Sequence, residues 1–234
     1  MKSLQITANS TQLTRLGFVN CYLVRERDGL TLIDTGLPNT HDDILSTART
    51  LGAPIRRILL THAHMDHLGS VDALIEKLSP DIEFVSNARS LPLLQKPPDL
   101  SLQPGEPQTK IKGGVTGIKS RPTRLVTEND LIGSFRVIET PGHLPGHIAF
   151  LDERDGTLYA GDALVAKGYL TVTGFAPWFF PLPNFGTWSK PTALASARKL
   201  LTYSIERFAC GHGAIRDGGV ATLRAAIAKA DKTN

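Results

Sequence analysis

The chain has 234 residues, 41% of them hydrophobic, which suffices for a large core as one domain made of two fused β/α halves, roughly 1–120 and 121–234. Its net charge of +4 and pI near 9.1 permit weak attraction to polyanions without requiring it. Cys21 and Cys210 form no CxxC pair, no apolar run approaches the roughly 18 residues of a membrane span, and the N-terminus lacks a signal-peptide core, so the expectation is a soluble cytoplasmic protein without a disulfide framework.

In chain order, Phe18 to Glu26 and Leu30 to Thr35 are β-prone runs around Asp28-Gly29, a hairpin signal. A helix follows, capped by Asn39 or Thr40, with Asp42 and Asp43 in its first turn, Ile44, Leu45, Ala48 and Leu51 at helical spacing, and Gly52 as its stop. Ile58 to Leu60 read as a buried strand running into His62-Ala-His64-Met-Asp66-His67. Val71, Leu74, Ile75 and Leu78 then give a helix its apolar stripe, and Ile82 to Val85 a strand. Leu91 to Pro122 is rich in Pro, Gly and Lys and too long for an ordinary connection, so it predicts a partly structured flap or insertion over the site. Strands are expected at 123–126, 134–139, 148–151, 158–160 and 207–210, and helices at 191–203 and 220–229.

One pattern recurs along this series. An apolar strand ends, a small residue or tight turn follows, and a metal-binding group projects, at His62, His143, Asp162 and His212. Each has an individual alternative: a turn histidine at His143, a helix cap at Asp162, a loop residue between glycines at His212. Together His62, His64, Asp66, His67, His143, Asp162 and His212 are seven ligands, too many for one tetrahedral ion and suited to two. His62, His64 and His143 are assigned to one, and Asp66, His67 and His212 to the other. Two such ions lower the pKa of water held between them and polarise a carbonyl or phosphoryl oxygen, which is hydrolytic chemistry. Asp66 is the candidate proton relay. No G-x-S-x-G elbow competes for the nucleophile's role. His147, at the start of a strand, reads as a supporting or packing residue. Asp34 either orients a ligand imidazole or serves a turn.

This set, with Leu32-Ile-Asp34-Thr-Gly36 ahead of it, resembles the metallo-β-lactamase superfamily across residues 18 to 213. The resemblance implies an α+β fold, a four-layer αβ/βα sandwich with two sheets face to face, and a dinuclear centre, usually zinc, with iron or manganese as alternatives. It also implies that Asp162 bridges the two ions. β-Lactamases of this superfamily generally lack that carboxylate, which argues against antibiotic hydrolysis. Glyoxalase II enzymes share all seven ligands and add a helical domain for which the residues after His212 leave no room. Acyl-homoserine lactonases match in length, ligands and the His-Leu-Pro-Gly-His run, but often place a substrate-binding tyrosine where this chain has Val165, leaving Tyr169 as the nearest substitute. The implied function is a two-zinc hydrolase of a small ester, lactone or thioester. The alternatives are a phosphodiesterase or nuclease of the same fold, or an iron-dependent persulfide dioxygenase.

Six of the fifteen aromatic residues, Phe175, Trp178, Phe179, Phe180, Phe185 and Trp188, fall within fourteen positions. Such a concentration lines an acyl pocket, forms a homodimer interface, or packs in the core. Tyr169, Phe175, Trp178, Phe179 and Phe180 are the candidate substrate contacts. The expected partner is a small molecule with an apolar portion; the basic Lys110–Arg124 run matches no nucleic-acid motif, and nothing suggests a membrane.

Overall fold

The computed structural model describes residues 1–233. The first sheet has seven strands in sequential order: β1 (Lys2–Gln5), β2 (Ser10–Arg15), β3 (Val19–Glu26), β4 (Gly29–Ile33), β5 (Ile55–Leu59), β6 (Glu83–Asn87) and β7 (Arg124–Val126). β1 to β4 are antiparallel and β4 to β7 parallel. The second sheet contains β8 (Leu131–Ile132), β9 (Phe135–Glu139), β10 (Ile148–Asp152), β11 (Thr157–Gly161), β14 (Arg207–Cys210) and β15 (Arg216–Asp217), in the order β15-β14-β11-β10-β9-β8. A small ribbon, β12 (Leu164–Val165) with β13 (Thr171–Val172), stands apart. The sheets divide between Val126 and Leu131, so the strand at 124–126 belongs to the first sheet rather than the second half.

Residue alternation explains the layers. On β3, Cys21 and Leu23 face one way and Tyr22 and Val24 the other; on β10, Ala149 and Leu151 oppose Ile148 and Phe150. Tyr22, Val24, Ile33 and Leu59 from the first sheet meet Phe135, Val137, Phe150 and Tyr159 from the second in a central apolar layer. The other face of the first sheet is covered by helices α1 (His41–Thr50), α3 (Val71–Lys77) and α4 (Leu91–Leu94) through Ile44, Leu74 and Leu93. The other face of the second is covered by α6 (Lys190–Leu200) and α7 (Gly219–Asp231) through Leu194, Leu200, Leu223 and Ile227. This is the expected four-layer sandwich. Two further short helices, α2 (Met65–Leu68) and α5 (Leu182–Gly186), border the site.

The hairpin, the strands and the long helices lie where periodicity placed them within about two residues, except that β5 begins three residues before Ile58 and α6 ends three residues before 203. The sequence reading missed β1 and β2, whose polar-rich Ser10–Arg15 run carries no apolar alternation, and the two-residue strands. Cys21 and Cys210 are both buried and free.

Candidate metal centre

β4 and β5 run parallel, as do β11 and β14, and β9 shares the direction of β11 because both are antiparallel to β10. Their carboxyl ends therefore meet at one edge of the sandwich. The chain leaving β5 carries His62 and His64, and α2 adds Asp66 and His67; the turns after β9, β11 and β14 supply His143, Asp162 and His212. The sheets are stitched together here by Ile148 N–H to the Thr61 carbonyl at 3.0 Å and Asn20 N–H to the Gly211 carbonyl at 2.9 Å.

The seven residues converge. His62, His64 and His143 bring ligand atoms within 4.8 Å of one another, as do Asp66, His67 and His212 and also His62, His67 and Asp162. His64 Nδ1 lies 2.9 Å from His143 Nε2. Asp162 spans both groups: Oδ2 is 3.4 Å from His143 Nε2 and 3.1 Å from His212 Nε2, while Oδ1 is 3.3 Å from His67 Nε2. Asp66 Oδ2 sits 3.3 Å from His212 Nε2.

Each imidazole is held from outside by its other nitrogen, which fixes the ring and its tautomer. His67 Nδ1 meets Asp34 Oδ2 at 2.7 Å, His62 Nδ1 meets Thr61 Oγ1 at 3.0 Å, and His143 Nδ1 meets Thr173 Oγ1 at 3.0 Å. His212 Nδ1 donates to the Phe18 carbonyl at 3.1 Å. His64 is reversed: its Nε2 donates to the Lys112 carbonyl at 2.9 Å, so its Nδ1 faces inward. The inward atoms His62 Nε2, His67 Nε2 and Asp162 Oδ1 are buried with no hydrogen-bond partner. Unpartnered buried acceptors from three residues, aimed at one point, are a donor set for cations. Gly211 leaves them room, since a Cβ there would stand 2.3 Å from Asp162 Oδ1.

The two groups differ electrically. Burial pushes His62, His64 and His143 below the ordinary imidazole range, keeping them neutral and ready to ligate. Burial acts on His67 and His212 in the same sense, but Asp162 and the other carboxylates outweigh it. His67 rises well above its usual value and His212 to about 9. Burial likewise opposes ionisation of Asp66 and Asp162, and the surrounding histidines hold both below the usual carboxylate range. Positive charge is thus favoured most beside Asp66, His67 and His212.

Asp34 and His147 occupy supporting positions. Asp34, in the left-handed region at φ 55°, accepts from Thr61 N at 2.8 Å and Thr61 Oγ1 at 2.8 Å as well as from His67. His147 Nδ1 pairs with Thr140 Oγ1 at 2.8 Å, and its Nε2 accepts the Asp162 N–H at 3.0 Å. Burial lowers its pKa to about 3, so it stays a neutral acceptor that fixes the backbone behind Asp162.

The family model of the metallo-β-lactamase superfamily matches residues 14–212, a span that includes every residue of this cluster. The chain belongs to the metallo-β-lactamase superfamily. It is 45% identical to the uncharacterized protein YobT of Bacillus subtilis over 92% of this chain and 91% of that one. It is 26% identical to the probable metallo-hydrolase YflN of the same organism, over 87% of this chain and 82% of the relative. Among solved structures, TTHA1623 in a di-iron-bound form is 31% identical, with a TM-score of 0.65 over 92% of this chain and 95% of that one.

On this superfamily scaffold the cleft above the cluster is lined by Phe18, Gly113 and Gly114 together with Leu182, Pro183 and Phe185. The candidate substrate contacts need correction. Phe180 is buried, its ring 5.3 Å from that of Phe18 and 5.7 Å from His212, so it backs the cleft wall. Tyr169 lies under Lys229 of α7, Phe175 packs against the second core, Trp178 is 89% exposed, and Phe179 stands against Gly168. None of these four lines the cleft, because the chain turns at Pro181 and presents α5 to the metals instead. Sequence reasoning also missed Phe18 and the strap formed by residues 112–114. A Gly-Gly pair inside a lysine-rich loop was the available signal for a close backbone approach: a Cβ on Gly113 would lie 2.3 Å from His64 Nε2.

Proposed function

We propose that this protein is a dinuclear metal-dependent hydrolase of a small ester, lactone or thioester with an apolar portion. The observation that carries the reading is Asp162, which stands between the groups: its Oδ2 reaches both His143 and His212, and its Oδ1 faces His67. In this reading His62, His64 and His143 hold one cation and Asp66, His67 and His212 the other, with Asp162 shared. When bound, the two cations supply an activated water and polarise the scissile carbonyl. Water adds to the carbonyl carbon, the bond to the alkoxy or thiolate leaving group breaks, and a carboxylic acid is released. Asp66, 30% exposed where the other ligands are closed off, is the group able to take the water proton and pass it to the leaving group. Asp34 and His147 keep His67 and Asp162 in register. Phe18, Leu182 and Phe185 supply the surface for the substrate's apolar part.

A hydrolase reading is also supported by a relative in Rhodospirillum rubrum named hydroxyacylglutathione hydrolase, 32% identical over 63% of this chain and 48% of that protein. Zinc is the proposed ion, and the di-iron state of TTHA1623 keeps iron as the second choice. Purified protein given two equivalents of zinc is expected to turn over a panel of aryl esters, lactones and acyl thioesters, and to lose activity on chelation and in Asp66→Ala. A fully metallated sample inactive across the panel would defeat the proposal. Oxygen uptake by an iron-loaded sample would replace it with the dioxygenase reading.

A further inference from the structure

The distribution of charge around the cleft goes a step beyond the hydrolase reading, on which it rests. No acidic residue occurs between Glu106 and Glu128, or between Asp162 and Glu206. These two acid-free stretches are the ones that wall the cleft, the first through Gly113 and Gly114, the second through Leu182, Pro183, Phe185 and Gly186. Both carry lysines. Lys112, whose carbonyl holds His64, is exposed beside Gly113. Behind the cleft wall, in a neighbouring groove, Lys167 Nζ stands 5.9 Å from the centre of the Phe180 ring, which itself abuts His212. Among the described residues neither lysine is paired with a carboxylate, and acids elsewhere near the walls are engaged: Glu106 with Arg89, Asp72 with the Lys119 and Ser120 amides, Asp217 with Arg207.

The cleft wall carries an apolar surface. Phe185 is 70% exposed and Leu182 57%, an arrangement costly in water unless something apolar covers it in use. Asp66 and Asp162 are the acids of the cleft, and both face the metal cluster. A neutral substrate would make no use of the lysines, and a small hydrophilic anion would make no use of Phe18, Leu182 and Phe185.

We propose that the cleft is built for an anionic amphiphile: an ester or thioester with an apolar chain lying on Phe18, Leu182 and Phe185, and a carboxylate or phosphate, separate from the scissile group, that meets Lys112 or Lys167 at the rim. The reaction is the same hydrolysis; the inference concerns which molecules reach it. Opposite charge at a cleft mouth raises encounter and affinity together, and the effect is screened by salt.

The test compares, on zinc-loaded enzyme, a hexanoyl thioester whose thiol portion carries phosphates with the hexanoyl thioester of uncharged N-acetylcysteamine. The expected result is a KM about tenfold lower for the charged substrate at about 0.02 M salt, with the advantage shrinking at about 0.3 M. In Lys112→Gln/Lys167→Gln the ratio of the two KM values should move toward one. Equal KM values that ignore salt would overturn the proposal while leaving the hydrolase intact. If neither thioester is cleaved, the hydrolase reading is what fails, and calorimetric binding of octyl phosphate decides the inference: salt-sensitive binding that weakens several-fold in the double lysine variant supports it, and binding indifferent to both refutes it.

Discussion

Asp34→Asn bears mainly on one half of the metal centre. Asparagine tolerates the left-handed backbone at φ 55°, so the substitution changes hydrogen bonding without forcing a new chain path. Asp34 accepts three hydrogen bonds, from Thr61 N, Thr61 Oγ1 and His67 Nδ1. An amide has only one accepting oxygen. If that oxygen keeps the Thr61 N–H, the NH2 group faces His67 Nδ1, which must then present its lone pair and carry its proton on Nε2, where a cation needs a lone pair. The lost carboxylate also removes one of the charges that raise the His67 pKa. Outer partners of ligating histidines are worth about 10- to 100-fold in metal affinity, or about 1.4 to 2.8 kcal/mol. Competition between protein and a coloured chelator for zinc should therefore show two binding constants in the parent. The one belonging to Asp66, His67 and His212 should weaken by that factor in the variant, and the other should weaken less, since His64 and His143 make no contact with Asp34 and His62 reaches it only through the Thr61 hydroxyl. An unchanged pair of constants, or equal weakening of both, would refute the assignment of Asp34 to His67.

Three further outcomes follow from the same geometry. Gly113→Ala places a Cβ against His64 Nε2 and should weaken the binding constant of the His62, His64 and His143 group, leaving the other; a displaced His64 ring would show as a shifted imidazole resonance in NMR. Because His67 and His212 are raised above neutrality and His62, His64 and His143 lowered, filling the Asp66 side at pH 7 should release about two protons and filling the other none, and affinity on the Asp66 side should fall as pH drops. Calorimetry in two buffers of different ionisation heat reads this directly, and equal release from both sites would contradict it. Trp188→Phe removes the bond from Trp188 Nε1 to the Thr109 carbonyl at 2.8 Å, worth about 1 kcal/mol, so the melting temperature should fall by about 2–4 °C and the strap should be cut sooner by protease.

The ligands were legible because ligation demands particular side chains. His62-Ala-His64-Met-Asp66-His67 has no cheaper explanation than a cation, and the turns at His143, Asp162 and His212 follow apolar strands whose alternation is plain. The layers were legible for the same reason: Tyr22 against Cys21, or Phe150 against Ala149, state which face is which. The cleft wall was not. Phe18 and Phe180 touch across 162 positions of chain, and only the fold decides that Phe185 rather than Trp178 turns inward. The strap was expected as a flap, but its contact is made by the Lys112 carbonyl, a group every residue possesses and no sequence pattern marks.

That contact makes the two halves of the metal centre unequal in how they are built. His67 is oriented by Asp34, which leaves β4 in the heart of the first sheet, and so is as rigid as the sandwich itself. His64 is oriented by a strap whose residues 112–114 are exposed between Ile111 and Ile118, which are buried in the first core; it is tied down at Thr109 by Trp188 and at Lys119 and Ser120 by Asp72. Local opening of that strap costs less than opening of the sheet. The Asp66 side combines a rigid frame with the stronger negative field, so the first cation to bind should settle there, and loosening the strap should act on the second.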